Sequence, residues 1–328
     1  LDPAGKCGQL WGMGLFAAEN SDSQAVAGGH IPGLDGVCAF HLYSPAPSAI
    51  PVLISVPHAG RAYPPEILGN MRNPALAAQR LEDRLVDQLG KAVARQTGAA
   101  LLVAHAPRAM IDLNRAEQDV DWGMFEGQGG ASSPPPGLRA RSGLGLIPRR
   151  LPGTGELWSR PHSRADMAAR LAGVHQPDHR CLAETLAGLR ARWGAALVID
   201  LHSMPPLGVP GGPPGAQFVL GDRFGASCHG GLVAHSFAYF AATARQAAHN
   251  QPYAGGYVLE RHAAPQRGLH GFQLEIDRAR YLDPALRELG DGFSGMTEVL
   301  CGLVRRLARE VAQLGSGHGR SAWAEAAE

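Results

Sequence analysis

Two short segments of the chain each end an apolar run on a histidine. LISVPHAG, residues 53–60, places His58 directly after such a run, and LVIDLHSM, residues 197–204, places His202 after a second one. These runs predict buried strands, and in an open α/β sheet the ligand crevice lies beyond the carboxyl ends of the strands. A single histidine is usually a satisfied or surface residue, but two in matching positions favour a metal site. We therefore predict that His58 and His202 bind one metal ion.

A catalytic zinc site needs about three nitrogen or oxygen ligands and an open position, so a carboxylate is still required. The segment RLEDRLVDQL offers Glu82, Asp83 and Asp87. On a helix, Asp83 and Asp87 stand one turn apart on the same face. A solvated acidic stripe paired with Arg80 and Arg84 is the alternative, and we favour that alternative for Glu82.

A fourth carboxylate lies beside the second histidine. Asp200 precedes His202 by two residues on the same predicted strand, so both side chains point to one face. Asp200 could bind the metal or fix the tautomer of the imidazole, and we favour the second role.

The segment APRAMIDLNR, residues 106–115, combines an apolar stretch with Arg108, Asn114 and Arg115. An arginine holds a carboxylate through two parallel hydrogen bonds in a fixed plane, so these residues are candidates for binding an acidic ligand. Asp112 could orient one arginine. The alternative is a structural Arg–Asp pair.

A carboxylate also interrupts the apolar strand pattern in GLHGFQLEIDRARY, residues 268–281. Glutamate in such a run is seldom buried unless it is paired or functional. Glu275 is therefore a candidate general base with a pKa raised by its surroundings, and a structural pair with Arg278 is the alternative.

Short strand patterns alternate with helical ones along the chain, which predicts an α/β fold with a largely parallel sheet. The predicted strands are Val52–Val56, Ala100–His105, Ala196–Leu201, Gln217–Leu220 and Gly271–Ile276, and the predicted helices are Pro74–Thr97, Arg164–Trp193 and Pro284–Leu314. Residues 1–50 predict an arm or peripheral strands before one domain over residues 51–328. A long Gly- and Pro-rich loop is expected around residues 116–155.

Composition narrows the class of protein. The 328 residues carry a net charge of +1, with no Lys/Arg run that would indicate nucleic acid or a membrane surface as partner. Five cysteines without CxxC spacing predict neither a disulfide framework nor a thiolate zinc knot, and they fit a cytoplasmic protein. We see no signal peptide or membrane-spanning run. Because the charge pattern indicates neither nucleic acid nor a membrane surface, a small molecule is the expected partner. No oligomeric state is predicted.

Taken together, these motifs resemble the N-formylglutamate amidohydrolase family. SVPHAG, EDRLVDQL, IDLNR, GLGLIPR, IDLHSM, PYAGGY and HGFQLEIDRARY occur in the order and approximate spacing of that family, over roughly residues 52–281. The family resembles zinc-dependent exopeptidases and aspartoacylase, which implies a three-layer α/β/α fold with a mostly parallel central sheet.

The resemblance also implies roles for individual residues. His58 and His202 match the metal histidines, and Glu275 matches the catalytic glutamate. Arg108 matches the arginine near the scissile carbonyl, while Asn114 and Arg115 match the pair that holds the substrate carboxylate.

One position departs from the related zinc carboxypeptidases, which carry HxxE at the first metal site. Here the residue three after His58 is Arg61. The acidic ligand must therefore come from elsewhere, and Asp83 matches the recurring aspartate of the family.

The implied activity is hydrolysis of N-formyl-L-glutamate to formate and L-glutamate, with Zn²⁺ or another divalent metal as cofactor. The long loop contains Arg139, Arg141 and Arg149, of which we select Arg141 as a substrate-binding residue. Hydrolysis of another N-acyl amino acid or of a peptide end group is the first alternative. A metal-free binding protein on the same scaffold is the second, and a strand-borne general base argues against it.

Overall fold

The computed structural model describes residues 23–127, 137–151, 153, 155–208 and 215–325, and for residues 23, 24 and 318–325 it describes the backbone alone. Its strands are β1 (Ser23–Gly28), β2 (Phe40–Pro45), β3 (Val52–Val56), β4 (Ala100–Ala104), β5 (Arg150–Leu151), β6 (Gly155–Glu156), β7 (Ala196–Met204), β8 (Phe218–Gly221), β9 (Ala247–His249) and β10 (Leu269–Asp277). Strands β5 and β6 form a separate hairpin, and the other eight form one sheet.

The sheet has the strand order β1-β2-β4-β3-β7-β10-β8-β9. Its central strands β4, β3, β7 and β10 are all parallel to one another, and antiparallel pairs occur at β1/β2, β2/β4 and β10/β8. The predicted α/β class with a mostly parallel sheet is confirmed. Parallel strands place their carboxyl ends at one edge of the sheet, which is where His58 and His202 are found.

Helices cover both faces of the sheet, because neighbouring residues of each central strand point to opposite sides. The helices are α1 (Pro65–Asn70), α2 (Pro74–Leu81), α3 (Val86–Thr97), α4 (Leu138–Arg141), α5 (Arg164–Arg170), α6 (Gln176–Trp193), α7 (Gly230–Ala242), α8 (Tyr257–His262) and α9 (Gly292–Glu325). Helices α3, α7 and α9 bury one face, and α1, α2, α5, α6 and α8 contribute to the core on the other.

The predicted helix over residues 74–97 is wrong as a single element. It is two helices, α2 and α3, separated at residues 82–85, where Leu85 has a left-handed backbone with φ of 56°. Asp83 N donates a hydrogen bond to the carbonyl of His58 at 3.0 Å, so a tertiary contact replaces the helical one. Asp83 and Asp87 therefore do not share a helix face.

Two other boundaries also differ from the sequence pattern. Helix α9 begins at Gly292 rather than at Pro284, because the Asp283 carboxylate accepts the backbone N–H groups of Arg287 and Glu288 in a turn. Strand β7 continues to Met204 rather than ending at Leu201, since β10 pairs with it along its whole length.

The segment that contains β1 and β2 is part of the main sheet and does not lie apart from it. Strand β1 pairs with β2, and β2 pairs with β4. Residues 1–22 lie outside the described residues, so the division at residue 50 stays a prediction. The loop around residues 116–155 contains the short helix α4 and strand β5, and residues 128–136 of it are likewise outside.

Among the described residues, no helix is both long enough and apolar enough to cross a bilayer.

Candidate active site

Three predicted ligands meet at the carboxyl edge of the sheet. The side chains of His58, Asp83 and His202 are buried, and one ligand atom from each lies within 4.8 Å of the other two. Asp83 Oδ2 is 2.9 Å from Nδ1 of His202 and 3.7 Å from Nδ1 of His58. His58 follows β3, His202 lies within β7, and Asp83 reaches them from the break between α2 and α3.

A carboxylate lies behind each histidine. Nε2 of His58 is 2.7 Å from Asp112 Oδ1, and Nε2 of His202 is 2.9 Å from Asp200 Oδ2. The carboxylates favour the tautomer with the proton on Nε2, which leaves each Nδ1 as a lone-pair donor toward Asp83. Asp200 thus has the position expected of a residue that orients the imidazole, and Asp112 has the same position on the other ring.

The histidines and carboxylates of this cluster shift one another's pKa values. Burial alone would disfavour charge on His202, but Asp200 and Asp83 raise its pKa well above the usual range. Burial likewise opposes ionisation of Asp83, whereas the neighbouring imidazoles of His202 and His58 hold its pKa well below the usual value. The site therefore keeps a carboxylate ionised in a buried position, which requires a cationic partner.

The donor set fits a divalent metal ion. Nδ1 of His58 is buried and has no hydrogen-bond partner among the described residues, although it points at the carboxylate of Asp83. An orphaned buried nitrogen is rare unless something is bound there. Two imidazole nitrogens and one carboxylate oxygen match the three-ligand pattern of catalytic zinc sites.

The other acidic candidates for the metal lie in different surroundings. Glu82 is buried, not solvated, and accepts a hydrogen bond from Tyr63 while pairing with Arg84. Asp87 pairs with Arg61 and Lys91 on α3. Of the acidic residues in RLEDRLVDQL, the structure brings only Asp83 to the two histidines.

Glu275 lies beside this cluster. It is buried on β10, directly opposite His202 of β7 in the parallel register. Gln273 donates a hydrogen bond to its Oε1 at 2.7 Å. Burial raises the pKa of Glu275 to about 7, against the opposing effect of His202.

The alternative role for Glu275, a pair with Arg278, is not what the described residues show. Arg278 instead donates to the carbonyl of Ser203 at 3.1 Å and lies 3.9 Å from Asp83. Arg278 therefore does not offset the burial of the Glu275 carboxylate, and that burial is the main cause of its raised pKa.

Arg108 joins the site through Asp112, to which its Nε donates at 2.9 Å. Burial opposes its charge, but Asp112, Asp83 and Glu275 raise its pKa, so it remains a cation. Asp112 therefore contacts both Arg108 and His58. A Cβ atom at position 60 would collide with the carbonyl oxygen of Ala106. Glycine is therefore needed where the loop after β3 packs against the loop after β4.

Asn114 and Arg115 both line the cavity, but their side chains are already held by the protein. The amide of Asn114 donates to Asp200 at 2.9 Å and accepts the backbone N–H of Val258 at 2.9 Å. Arg115 donates to the carbonyls of Leu144 and Asn114, which fixes its guanidinium plane. The role of Asn114 in binding a substrate carboxylate stays a prediction.

Two buried histidines that the sequence patterns did not single out support the backbone around Asn114. His175 lies 2.9 Å from the carbonyl of Arg115, and His179 lies 3.0 Å from that of Leu113. His179 also contacts His262 at 2.9 Å between ring nitrogens. Their spacing of four residues on one helical stretch is the signal that could have identified them.

The cluster opens onto a cavity of about 580 Å³. Arginines line much of it: Arg80, Arg108, Arg115, Arg139, Arg223 and Arg278. Tyr253 of the PYAGGY motif also lines it, and burial together with Glu275 raises the pKa of its hydroxyl, which stays a donor. A side chain at Gly256 would collide with Asn114, which explains the second glycine of that motif.

The structure does not place Arg141 in this cavity. Arg141 is exposed on α4 and is absent from the described lining, whereas Arg139 of the same helix belongs to it. Arg149 pairs with Asp121 and Glu156 elsewhere on the loop. The substrate-binding role of Arg141 stays a prediction, and Arg139 is the arginine of α4 that lines the cavity.

Comparison with known proteins shows which family this chain matches. A model of the N-formylglutamate amidohydrolase family matches residues 50–282. The chain is 32% identical over 249 residues to an N-formylglutamate deformylase of Pseudomonas aeruginosa, covering 71% of this chain and 83% of that protein. It is 28% identical over 257 residues to one of Pseudomonas putida, covering 76% and 86%.

Solved structures are similar as well. That of N-formylglutamate amidohydrolase from Ralstonia eutropha JMP134 superposes with a TM-score of 0.76 at 31% identity, covering 84% of this chain and 99% of that one. A gene product of Agrobacterium tumefaciens has a TM-score of 0.60 at 16% identity, with 84% and 94% covered, and shares the fold.

Proposed function

This chain belongs to the N-formylglutamate amidohydrolase family, and from that premise we propose that it hydrolyses N-formyl-L-glutamate to formate and L-glutamate. The observation that carries the proposal is the buried cluster of His58, Asp83 and His202, with Glu275 beside it in the same cavity. A hydrolase needs both an electrophilic centre and a base, and this edge of the sheet has residues for each.

We propose Zn²⁺, or another divalent ion, as the cofactor of that cluster. His58 and His202 would hold it through Nδ1, and Asp83 through a carboxylate oxygen. When bound, the ion would act as a Lewis acid on the scissile carbonyl and would acidify a water molecule.

Glu275 is the general base of the proposed reaction. It takes a proton from the water that attacks the formyl carbon, and a pKa of about 7 suits this role at neutral pH. When the C–N bond breaks, Glu275 returns the proton to the leaving amine. Formate and the free amino group of glutamate result.

Arg108 stabilises the negative charge that develops on the formyl oxygen. Its guanidinium is held by Asp112 before substrate arrives, so little reorganisation is needed during the reaction. Removing one donor of this kind typically costs about 2.7–4 kcal/mol of transition-state stabilisation.

The arginines of the cavity select the substrate class. Six arginines face it against the four acids Asp83, Asp119, Glu260 and Glu275, although the whole chain carries a net charge of only +1. We assign Arg115 to the α-carboxylate, because its plane is fixed by two carbonyls, and Arg139 to the side-chain carboxylate. A dicarboxylic N-acyl amino acid is thereby preferred over a monocarboxylic one.

The experiment measures metal content and formate release together. Protein purified without added metal is analysed for bound zinc and assayed on N-formyl-L-glutamate, N-formyl-L-methionine and N-acetyl-L-glutamate. We expect hydrolysis of the first, loss of activity with a chelator and recovery with Zn²⁺. His202→Ala should lose both metal and activity.

Two outcomes would contradict the proposal. Binding of N-formyl-L-glutamate without hydrolysis in the zinc-loaded protein would indicate a binding protein on this scaffold. Faster hydrolysis of N-acetyl-L-glutamate would place the chain with another N-acyl amino acid substrate. The cytoplasmic location stays a prediction.

A further inference from the structure

A second cluster of potential metal ligands lies away from the His58 cluster. Ligand atoms of Cys38, His41 and His105 lie within 4.8 Å of one another. Nδ1 of His41 is 3.6 Å from the sulfur of Cys38 and 2.7 Å from Nε2 of His105. All three side chains are half-buried, so an ion from solution could reach them.

Strand pairing creates this cluster. In the antiparallel register of β2 and β4, His41 stands opposite Val103, and the backbone N–H of His105 donates to the carbonyl of Ala39 at 2.7 Å. His105 directly follows β4, and its ring meets that of His41 with 4.9 Å between the ring centroids. Cys38 reaches the pair from just before β2.

The surroundings favour the neutral, ligating form of both imidazoles. Burial and the nearby Lys91 lower the pKa of His41 and of His105, the latter to about 4. Lys91 is itself paired with Asp87 at 3.0 Å, so its charge is partly compensated. Arg61 also pairs with Asp87, and Tyr43 stacks on the ring of His41 at 5.8 Å between centroids.

We propose that Cys38, His41 and His105 form a second metal site, which binds Zn²⁺ or a similar divalent transition metal through one thiolate and two imidazole nitrogens. One sulfur and two nitrogen donors suit zinc and its neighbours in the first transition series and exclude Ca²⁺ and Mg²⁺, which require oxygen ligands. Binding releases the thiol proton of Cys38. Three protein ligands leave a fourth position for water.

A bound ion at this site would link the segment before β2 to the carboxyl end of β4. His105 is three residues before Arg108, and its carbonyl accepts the backbone N–H of Ala62 at 3.0 Å. The site therefore braces the loops after β3 and β4, although none of its ligands lines the cavity of the proposed reaction.

Cobalt substitution distinguishes the two sites, because only the second contains sulfur. A thiolate bound to Co²⁺ gives an intense ligand-to-metal charge-transfer absorption in the near ultraviolet, whereas two imidazoles and a carboxylate do not. The full chain is titrated with Co²⁺ while absorption and bound metal are followed. We expect two equivalents of bound Co²⁺ and a thiolate band that saturates with one of them.

Variants assign the band to its residues. Cys38→Ser and His105→Gln should each lose the band and one equivalent of metal. His58→Ala should keep the band while losing the other equivalent, and Cys181→Ser, at a half-buried cysteine outside the cluster, should change neither. Circular dichroism confirms that each variant is folded.

Two results would overturn the second site. The first is the absence of a thiolate band in the folded wild-type protein at saturating Co²⁺. The second is an unchanged band in Cys38→Ser. Either would mean that Cys38, His41 and His105 form a hydrogen-bonded cluster only, and neither depends on whether the chain hydrolyses N-formyl-L-glutamate.

Discussion

Nε2 of His58 lies 2.7 Å from Oδ1 of Asp112, so the other ring nitrogen, Nδ1, is the one that faces Asp83. The same carboxylate accepts a hydrogen bond from Arg108 at 2.9 Å. One buried aspartate thus orients both the imidazole that we propose as a metal ligand and the arginine that we propose beside the scissile bond. Asp200 has the equivalent relationship to His202.

Asp112→Asn tests this relationship. An amide is a weaker acceptor for the Nε2 proton of His58, so affinity for zinc should fall about 10–100-fold, as for other residues that orient metal ligands. Competition with a chromophoric chelator measures the affinity. Asp121→Asn is the control, since Asp121 pairs with Arg149 outside the cavity. Equal zinc affinity in Asp112→Asn and the wild type would contradict this role of Asp112.

Glu275→Gln tests the general base. The amide preserves size but cannot accept the proton of water, so turnover should fall about 10²–10⁴-fold while zinc stays bound. Turnover on N-formyl-L-glutamate, zinc content and melting temperature are measured on the same preparation. A joint loss of zinc and activity would instead make Glu275 a metal ligand. Retained turnover with bound zinc would remove it from the mechanism.

Arg139→Ala and Arg141→Ala form a matched pair on helix α4. Arg139 lines the cavity and Arg141 does not, so only the first change should weaken binding of the dicarboxylic substrate. A charged hydrogen bond contributes about 1.5–3 kcal/mol, which corresponds to a rise in KM of roughly 10- to 160-fold. Steady-state kinetics with N-formyl-L-glutamate measure KM for both variants. A larger effect at Arg141 would instead support Arg141 as the substrate-binding residue, as the sequence predicts.

His262→Gln tests how the buried histidines respond to acid. Burial, with Arg261 and His175, lowers the pKa of His262 from 6.5 to about 4. Between these values the unfolded chain binds a proton that the folded chain does not, so the free energy of unfolding decreases as the pH falls from about 6.5 toward 4.

The unfolded His262→Gln variant has no imidazole at position 262 to bind this proton. The dependence of its unfolding free energy on pH between about 6 and 4.5 should be smaller than that of the wild type by up to about 1.4 kcal/mol per pH unit. Urea unfolding at several pH values measures both. Parallel curves for the two proteins would show that His262 does not contribute to the acid sensitivity.

Much of the proposed catalytic site follows from local patterns. His58 follows an apolar strand run, and His202 and Glu275 stand within such runs. The alternation of side chains along a strand is a local property that the sequence carries. The segment APRAMIDLNR likewise offers Asp112 as a residue that could orient one arginine, and in the structure Arg108 donates to it. For these residues the sequence alone determined which element presents the side chain and at which end.

Tertiary structure decided the rest, because each remaining feature depends on a contact between distant segments. Asp83 faces His202 only because a hydrogen bond to the carbonyl of His58 ends helix α2 early. Arg139 faces the cavity and Arg141 does not because of how the short helix α4 packs. Cys38, His41 and His105 meet through the register of β2 on β4. Hydrophobic periodicity specifies which face of an element is buried, but it carries no information about which distant polar groups that face will meet.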